Sequence, residues 1–293
     1  MFPIIPANTA TASFPENDEG IFGFGAYNAS LTAMTNLVSN TGVVSSDVTG
    51  VGTARYDLAA CEYGGDKGIF AYGSHYVLAS NLVSNAGVVT SDVTIVGTMR
   101  EYLAACSYGE DKGIFGYGWS YLSITNLVSN AGVVSSDVTG VGTGRDMLAA
   151  CEYGGDKGIF GYGTTGSATA ITNLVSNAGV VGTDVTGVGT AREWPAACSY
   201  GGDKGIFGYG YNPVSITNLV SNAGVVSSDV TGVGTARKLL AACEYGGDKG
   251  IFGFGNDGSP LSMTNLVSNA GVVATDTTGV GTARQLLAAC SFN

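Results

Sequence analysis

The chain has 293 residues, 45% of them hydrophobic and 12% charged, which excludes a disordered chain and suits one that builds a core. Its formal net charge of −11 argues against a nucleic-acid binder, which needs a basic face to neutralise phosphates. Nearly all the positive charge is absorbed at two recurring positions: Arg55, Arg100, Arg145, Arg192, Arg237 and Arg284 at one, and Lys67, Lys112, Lys157, Lys204 and Lys249 at the other. Only Lys238 stands outside them.

Residues 1–19 read as an extended N-terminal arm, rich in Pro, Thr and Ala up to Glu16. The arm lacks the basic region and unbroken apolar core of a secretory signal. No run in the chain approaches the ~20 apolar residues of a membrane span. The expectation is a protein folded in a reducing cytoplasm, without membrane insertion.

From residue 20 the chain repeats itself. Gly65-Asp66-Lys67-Gly68-Ile69-Phe70-Ala71-Tyr72-Gly73 returns in five further forms, with Ile21, Ile69, Ile114, Ile159, Ile206 and Ile251 in register at a spacing of about 45 residues. Within one copy, Leu58–Tyr63 reads as a strand, Gly64–Lys67 as a glycine-rich hairpin turn, and Gly68–Tyr72 as the returning strand. Asn81–Ser84 reads as a third strand and Val88–Ser91, after Asn85-Ala86-Gly87, as a fourth. No 3.6-residue periodicity appears. Four short antiparallel strands in each of six copies predict an all-β, closed six-bladed propeller. The last copy stops after one strand, Leu286–Phe292, and the first begins with a second strand at Gly20, so the C-terminal strand is expected to complete the first blade. Blade 1 is then 20–54 plus 285–293, and blades 2–6 are 55–99, 100–144, 145–191, 192–236 and 237–284.

The order of arginine, apolar strand, Gly-Gly turn, Ile-Phe-Gly-Tyr-Gly, third and fourth strands, then Gly-Thr-Ala-Arg resembles the kelch repeat over residues 20–293. Here the paired glycines are split by an aromatic, as in Gly161-Tyr162-Gly163, and valines such as Val88-Val89 stand where kelch has tryptophan. The near-identity of the copies also resembles propeller-like repeat proteins of marine phages and metagenomes, and symmetric designed propellers.

Cys61, Cys106, Cys151, Cys198, Cys243 and Cys290 occupy one position per repeat, too far apart for bridging, and read as small buried side chains. The repeated Arg and the Asp at 47, 92, 137, 184, 229 and 276 read as structural pairs. Alternation after each cysteine places Glu62, Glu152 and Glu244 around the channel, where an axial ion or a solvated mouth are the two readings. Gly161–Gly166 matches G-x-G-x-x-G by letter only, since no helix follows. His75 is the single histidine and excludes a multi-histidine metal site. No metal or cofactor site is legible.

Two windows differ between copies: the connection from second to third strand, and the pair after each arginine. Both are expected on one face, gathering Tyr27, Tyr56, His75, Tyr76, Tyr102, Trp119, Tyr121, Trp194 and Tyr211 as a ligand-binding face. With no cluster of unlike titratable groups visible, the expectation is a non-enzymatic recognition or structural module binding a protein or surface glycan. The phage resemblance implies a virion component, such as a fibre, adhesin or decoration protein, contacting neighbouring subunits through its arm. The alternatives are a free or engineered propeller scaffold without a natural ligand, and an enzyme working in the central channel.

Overall fold

The computed structural model describes residues 18–27, 30–75 and 77–293. These form an all-β, propeller-like array of repeated antiparallel sheets, with no helix among the described residues and hence none long and apolar enough to cross a membrane. The residues expected to form the N-terminal arm lie outside the described ones up to residue 17, and Glu19 already opens the strand Glu19–Gly23.

Each repeat supplies a first strand such as Ala59–Tyr63, a middle strand such as Lys67–Ala71 and a third such as Ala79–Val83. Their register aligns Cys61, Ile69 and Leu82 across the sheet. The C-terminal strand Ala288–Phe292 pairs with Glu19–Gly23, which pairs in turn with Thr35–Val38, and Cys290, Ile21 and Leu37 take the same places. The hairpin forms because Gly64 and Gly65 both hold positive φ, 69° and 78°, a region open to glycine at little cost.

The expected four-stranded blades are corrected. Five sheets have three strands, and only the one containing Ala59–Tyr63 gains a short fourth, Val93–Thr94. Elsewhere the fourth segment touches the third strand at isolated points, as at Val38–Val44 and Thr35–Val48. Between those points side chains replace the ladder. Ser45 Oγ accepts from Leu37 N (2.9 Å), and Asn36 Nδ2 donates to Ser45 O (3.0 Å) and Asp47 Oδ1 (2.9 Å). Short polar side chains that bond nearby backbone compete with regular pairing in this way.

The core lies between sheets. One cluster joins Cys106, Ile114 and Tyr117 of one repeat to Leu148, Ala150 and Phe160 of the next. The middle strands are covered on both faces, so Ile114 and Phe115 are both fully buried. Their glycines are required by proximity: a Cβ on Gly158 would lie 2.5 Å from Cys106 Sγ of the preceding repeat. This explains why cysteine and glycine recur together. All six cysteines are free and buried.

Successive repeats are also joined by hydrogen bonds. Gly64 N donates to Asp111 O (2.8 Å), Gly109 N to Asp156 O (2.8 Å) and Gly246 N to Asp18 O (2.8 Å), while Asn293 N donates to Asp66 O (3.0 Å). Each repeated arginine is buried and stacks on an aromatic of the preceding repeat, as Arg55 over Phe24 (4.3 Å) and Arg192 over Tyr162 (4.1 Å). Arg55 donates to Tyr72 O (2.8 Å), Thr53 O (3.1 Å) and Asn81 Oδ1 (2.7 Å). Asn81 Nδ2 donates to Asp92 Oδ1 (2.9 Å), and Asp92 Oδ2 accepts from Thr53 Oγ1 (2.6 Å). In the Arg55, Arg100 and Arg192 repeats the Arg–Asp pairing read from the sequence is therefore relayed through a buried asparagine, whereas Asn173, Asn265 and Asn36, beside Arg145, Arg237 and Arg284, leave their Oδ1 without a partner among the described residues. Direct approach is long, 3.8 Å for Arg55–Asp92.

Gly158→Ala is expected to lower stability by about 1–3 kcal/mol through overpacking. Adding Cys106→Ala should recover part of that loss, measured by urea unfolding. A double variant no more stable than Gly158→Ala would contradict the sulfur contact as the cause.

Candidate functional site

The pair after each arginine meets the second-to-third connection through backbone bonds in every repeat. Ser74 N donates to Tyr56 O (2.8 Å), Trp119 N to Glu101 O (2.8 Å), Tyr211 N to Glu193 O (2.7 Å) and Ala26 N to Gln285 O (2.8 Å). The two variable windows therefore come together, as their shared variation suggests.

The second member of each pair forms an inner circuit. Asp57, Tyr102, Met147, Trp194, Leu239 and Leu286 all hold φ between 50° and 60°, the left-handed region that non-glycine residues seldom enter. Backbone bonds run from Tyr102 N to Asp57 O (3.1 Å), Met147 N to Tyr102 O (2.9 Å), Trp194 N to Met147 O (2.8 Å), Leu286 N to Leu239 O (2.9 Å) and Asp57 N to Leu286 O (3.1 Å). A strained conformation repeated in every copy belongs to the architecture. What differs around the circuit is the side chains.

Of the residues expected on this face, several are in ring contact: Tyr56 with His75 (6.0 Å), Tyr102 with Trp119 (6.0 Å) and Trp194 (6.4 Å), and Trp194 with Tyr211 (5.5 Å). Lys238 Nζ sits 4.5 Å from the Tyr211 ring centre, the one cation outside the repeat positions finding an aromatic seat. Tyr27 stands apart, pairing with Ser30 in a separate two-stranded ribbon. Tyr121 is exposed. Tyr76 lies outside the described residues.

Two cavities open here. The wider, about 290 Å³, is lined by Tyr56, Ser74, His75, Arg100, Glu101 and Trp119 among others. Ser74 is buried, and its Oγ lies 3.2 Å from His75 Nδ1 and accepts from Tyr56 N at 3.2 Å. Burial raises the Glu101 carboxyl above its ordinary value, while the nearby His75 opposes the rise. The narrower cavity, about 80 Å³, is lined by Asp57, Tyr102, Met147, Trp194, Leu239 and Leu286 among others. Burial pushes the Asp57 carboxyl up to about 8, with Glu101 adding to the effect and a hydrogen bond with Tyr102 opposing it. Asp146, buried beside Glu193, is pushed up to about 6.

Sequence reasoning missed Ser74, Glu101 and Asp57 as a group. The available signal was that Asp57 and Glu101 fall in a variable pair and Ser74 in a variable connection. Their joint placement depends on a contact between consecutive repeats.

The residues expected around a channel are less asymmetric. Ala, Cys and alternating Glu or Ser from all six copies line about 40 Å³. Ser107 Oγ donates to Glu152 Oε2 (2.5 Å), and burial raises the Glu152 carboxyl to about 7, with Glu62 contributing. Among the described residues no group of three or more His, Cys, Asp or Glu is placed to hold a metal ion.

No family model matches the sequence, and no curated protein matches it. The kelch and phage resemblances therefore reduce to a repeating, propeller-like architecture. Among solved structures the chain is similar to a "novel fungal alcohol oxidase with catalytic diversity among the AA5 family, in complex with copper", with a TM-score of 0.55 and 14% identity, over 92% of this chain and 64% of that one. The chain thus matches less than two thirds of that protein's length, and the likeness is one of fold.

That finding corrects the expectation of a non-enzymatic virion module. A fold shared with a described oxidase is no ground for excluding an enzyme, and the wider cavity holds the unlike titratable groups that were thought missing. Copper itself does not fit this chain. Copper favours imidazole and accessible thiolate; there is one histidine, and burial pushes every cysteine thiol up.

Asp57 has a consequence for stability. Its carboxyl is raised in the folded protein, so its contribution is full below about pH 4 and is lost as pH rises towards 8, where the unfolded chain is ionised and the folded group is not. The slope is roughly 1 kcal/mol per pH unit. Asp57→Asn should remove it, so the variant gains on the wild type between pH 4 and pH 8 in urea unfolding. A gap that stays constant across that range would contradict a neutral buried carboxyl.

Proposed function

We propose that the chain is a closed six-bladed β-propeller, one repeat to a blade, whose unequal face carries a serine-type ester hydrolase site. Closure is supported by the contacts that tie the last repeat to the first: Thr282 Oγ1 donates to Asp47 Oδ2 (2.7 Å), Arg284 Nε to Phe24 O (3.0 Å) and Gly246 N to Asp18 O (2.8 Å). Such a ring leaves only short, protected sheet edges.

The observation that carries the hydrolase reading is the 3.2 Å approach of Ser74 Oγ to His75 Nδ1 on the wall of a cavity that also presents Glu101. A serine hydroxyl becomes a nucleophile when an adjacent base removes its proton, and a carboxylate near that base favours the imidazolium that forms. Ser74 Oγ attacks the carbonyl carbon of an ester while His75 takes the proton. His75 then returns it to the alcohol oxygen as the carbon–oxygen bond breaks. Water, deprotonated by His75, attacks the acyl-serine, the serine–carbonyl bond breaks, and the proton restores Ser74. Tyr56 and Trp119 offer flat apolar walls, and Glu101 and Arg100 bring opposite charges to the lining, which suits an uncharged ester.

The test is turnover of p-nitrophenyl esters together with adduct mapping after a fluorophosphonate probe. Ser74→Ala should lower kcat by about a thousandfold or more. Glu101→Gln should lower it about a hundredfold, and Trp119→Ala should act mainly on KM. Wild-type turnover no faster than that of Ser74→Ala, with no adduct on Ser74, would overturn the reading.

A further inference from the structure

The narrower cavity has a polar problem that the hydrolase site does not solve. Asp57 is 7% exposed, yet its Oδ2 has no hydrogen-bond partner among the described residues. Trp194 Nε1 is likewise buried and unpartnered. Both side chains line the same cavity of about 80 Å³, whose remaining wall includes Leu58, Leu103, Leu148, Leu240 and Pro195. A buried polar atom left unsatisfied is costly, and one water needs only a small part of this volume.

The two orphaned atoms ask for different things. Trp194 Nε1 can only donate, and a carboxyl oxygen can pair with a hydroxyl whichever of them carries the proton. An alcohol hydroxyl accepts from one and pairs with the other. The leucine and proline walls suit a short apolar body attached to that hydroxyl. A cation would need Asp57 ionised in a site where burial and Glu101 oppose ionisation.

We propose that this cavity is a binding site for a small uncharged aliphatic alcohol, its hydroxyl held between Asp57 Oδ2 and Trp194 Nε1 and its alkyl group against the leucine wall. The site is separate from Ser74 and does not depend on ester hydrolysis.

The chain has two tryptophans, so its indole N–H groups give two signals in a 1H–15N spectrum, assigned by a Trp119→Phe variant. Titration of Ser74→Ala protein with 1-butanol should shift the Trp194 signal saturably and leave that of Trp119 in place. Diethyl ether, an isomer without the donor, should bind at least tenfold more weakly, and Asp57→Leu should abolish the 1-butanol response. The ether comparison stands alone should Asp57→Leu fail to fold. A Trp194 signal that does not saturate, or that responds equally to alcohol and ether, would overturn the proposal.

Discussion

Everything in this protein depends on burying six arginines. A guanidinium taken out of water is costly unless each donor finds an acceptor and the charge meets a favourable field. At Arg55 the acceptors come from the arginine's own sheet and the preceding connection, and the stacking ring comes from the previous repeat, while Arg100 Nε, Arg237 Nη2 and Arg284 Nη2 are buried without an acceptor among the described residues. Satisfying the charge therefore requires neighbouring sheets to be in place. Burial draws the Arg55 guanidinium down to about 10, still far above neutral, so the charge persists. Asn81 converts that demand into a second contact by passing it to Asp92, which also receives Thr53.

The same geometry frees the opposite requirement of a site, which is inequality. The backbone at Asp57, Tyr102, Met147, Trp194, Leu239 and Leu286 is held by repeated bonds that do not involve the side chains, which are therefore free to differ. One sector then gathers carboxyls, aromatics, Ser74 and His75, while Leu239 and Leu286 remain plain. The titration behaviour follows from burial on that sector: desolvation and then Glu101 hold the Asp57 carboxyl up, while desolvation raises that of Glu101 against the opposing His75.

Much of the fold was legible from particular residues. The recurrence of Ile and Phe in a middle strand, the Gly-Gly turns and the split first repeat led to the antiparallel sheets and to the pairing of the C-terminal strand with the first. The fourth strand was misread because Val88-Val89 has the composition of a strand. Its neighbours Thr90 and Asp92 instead bond Leu82 N and Asn81, breaking the ladder. The asparagine relay was not legible because Asn81 reads only as the first residue of the third strand, and its partners Arg55 and Asp92 lie far from it in sequence.

By itself the sequence determined the repeat, its strand order, the buried cysteines and the two windows where copies differ, because these are properties of local pattern and period. Only the tertiary structure decided which differing residues meet. Ser74 and Glu101 are brought to one cavity by consecutive repeats, and Asp57 and Trp194 to another by repeats farther apart. Contacts of that kind arise between separate sheets, and no single repeat encodes them.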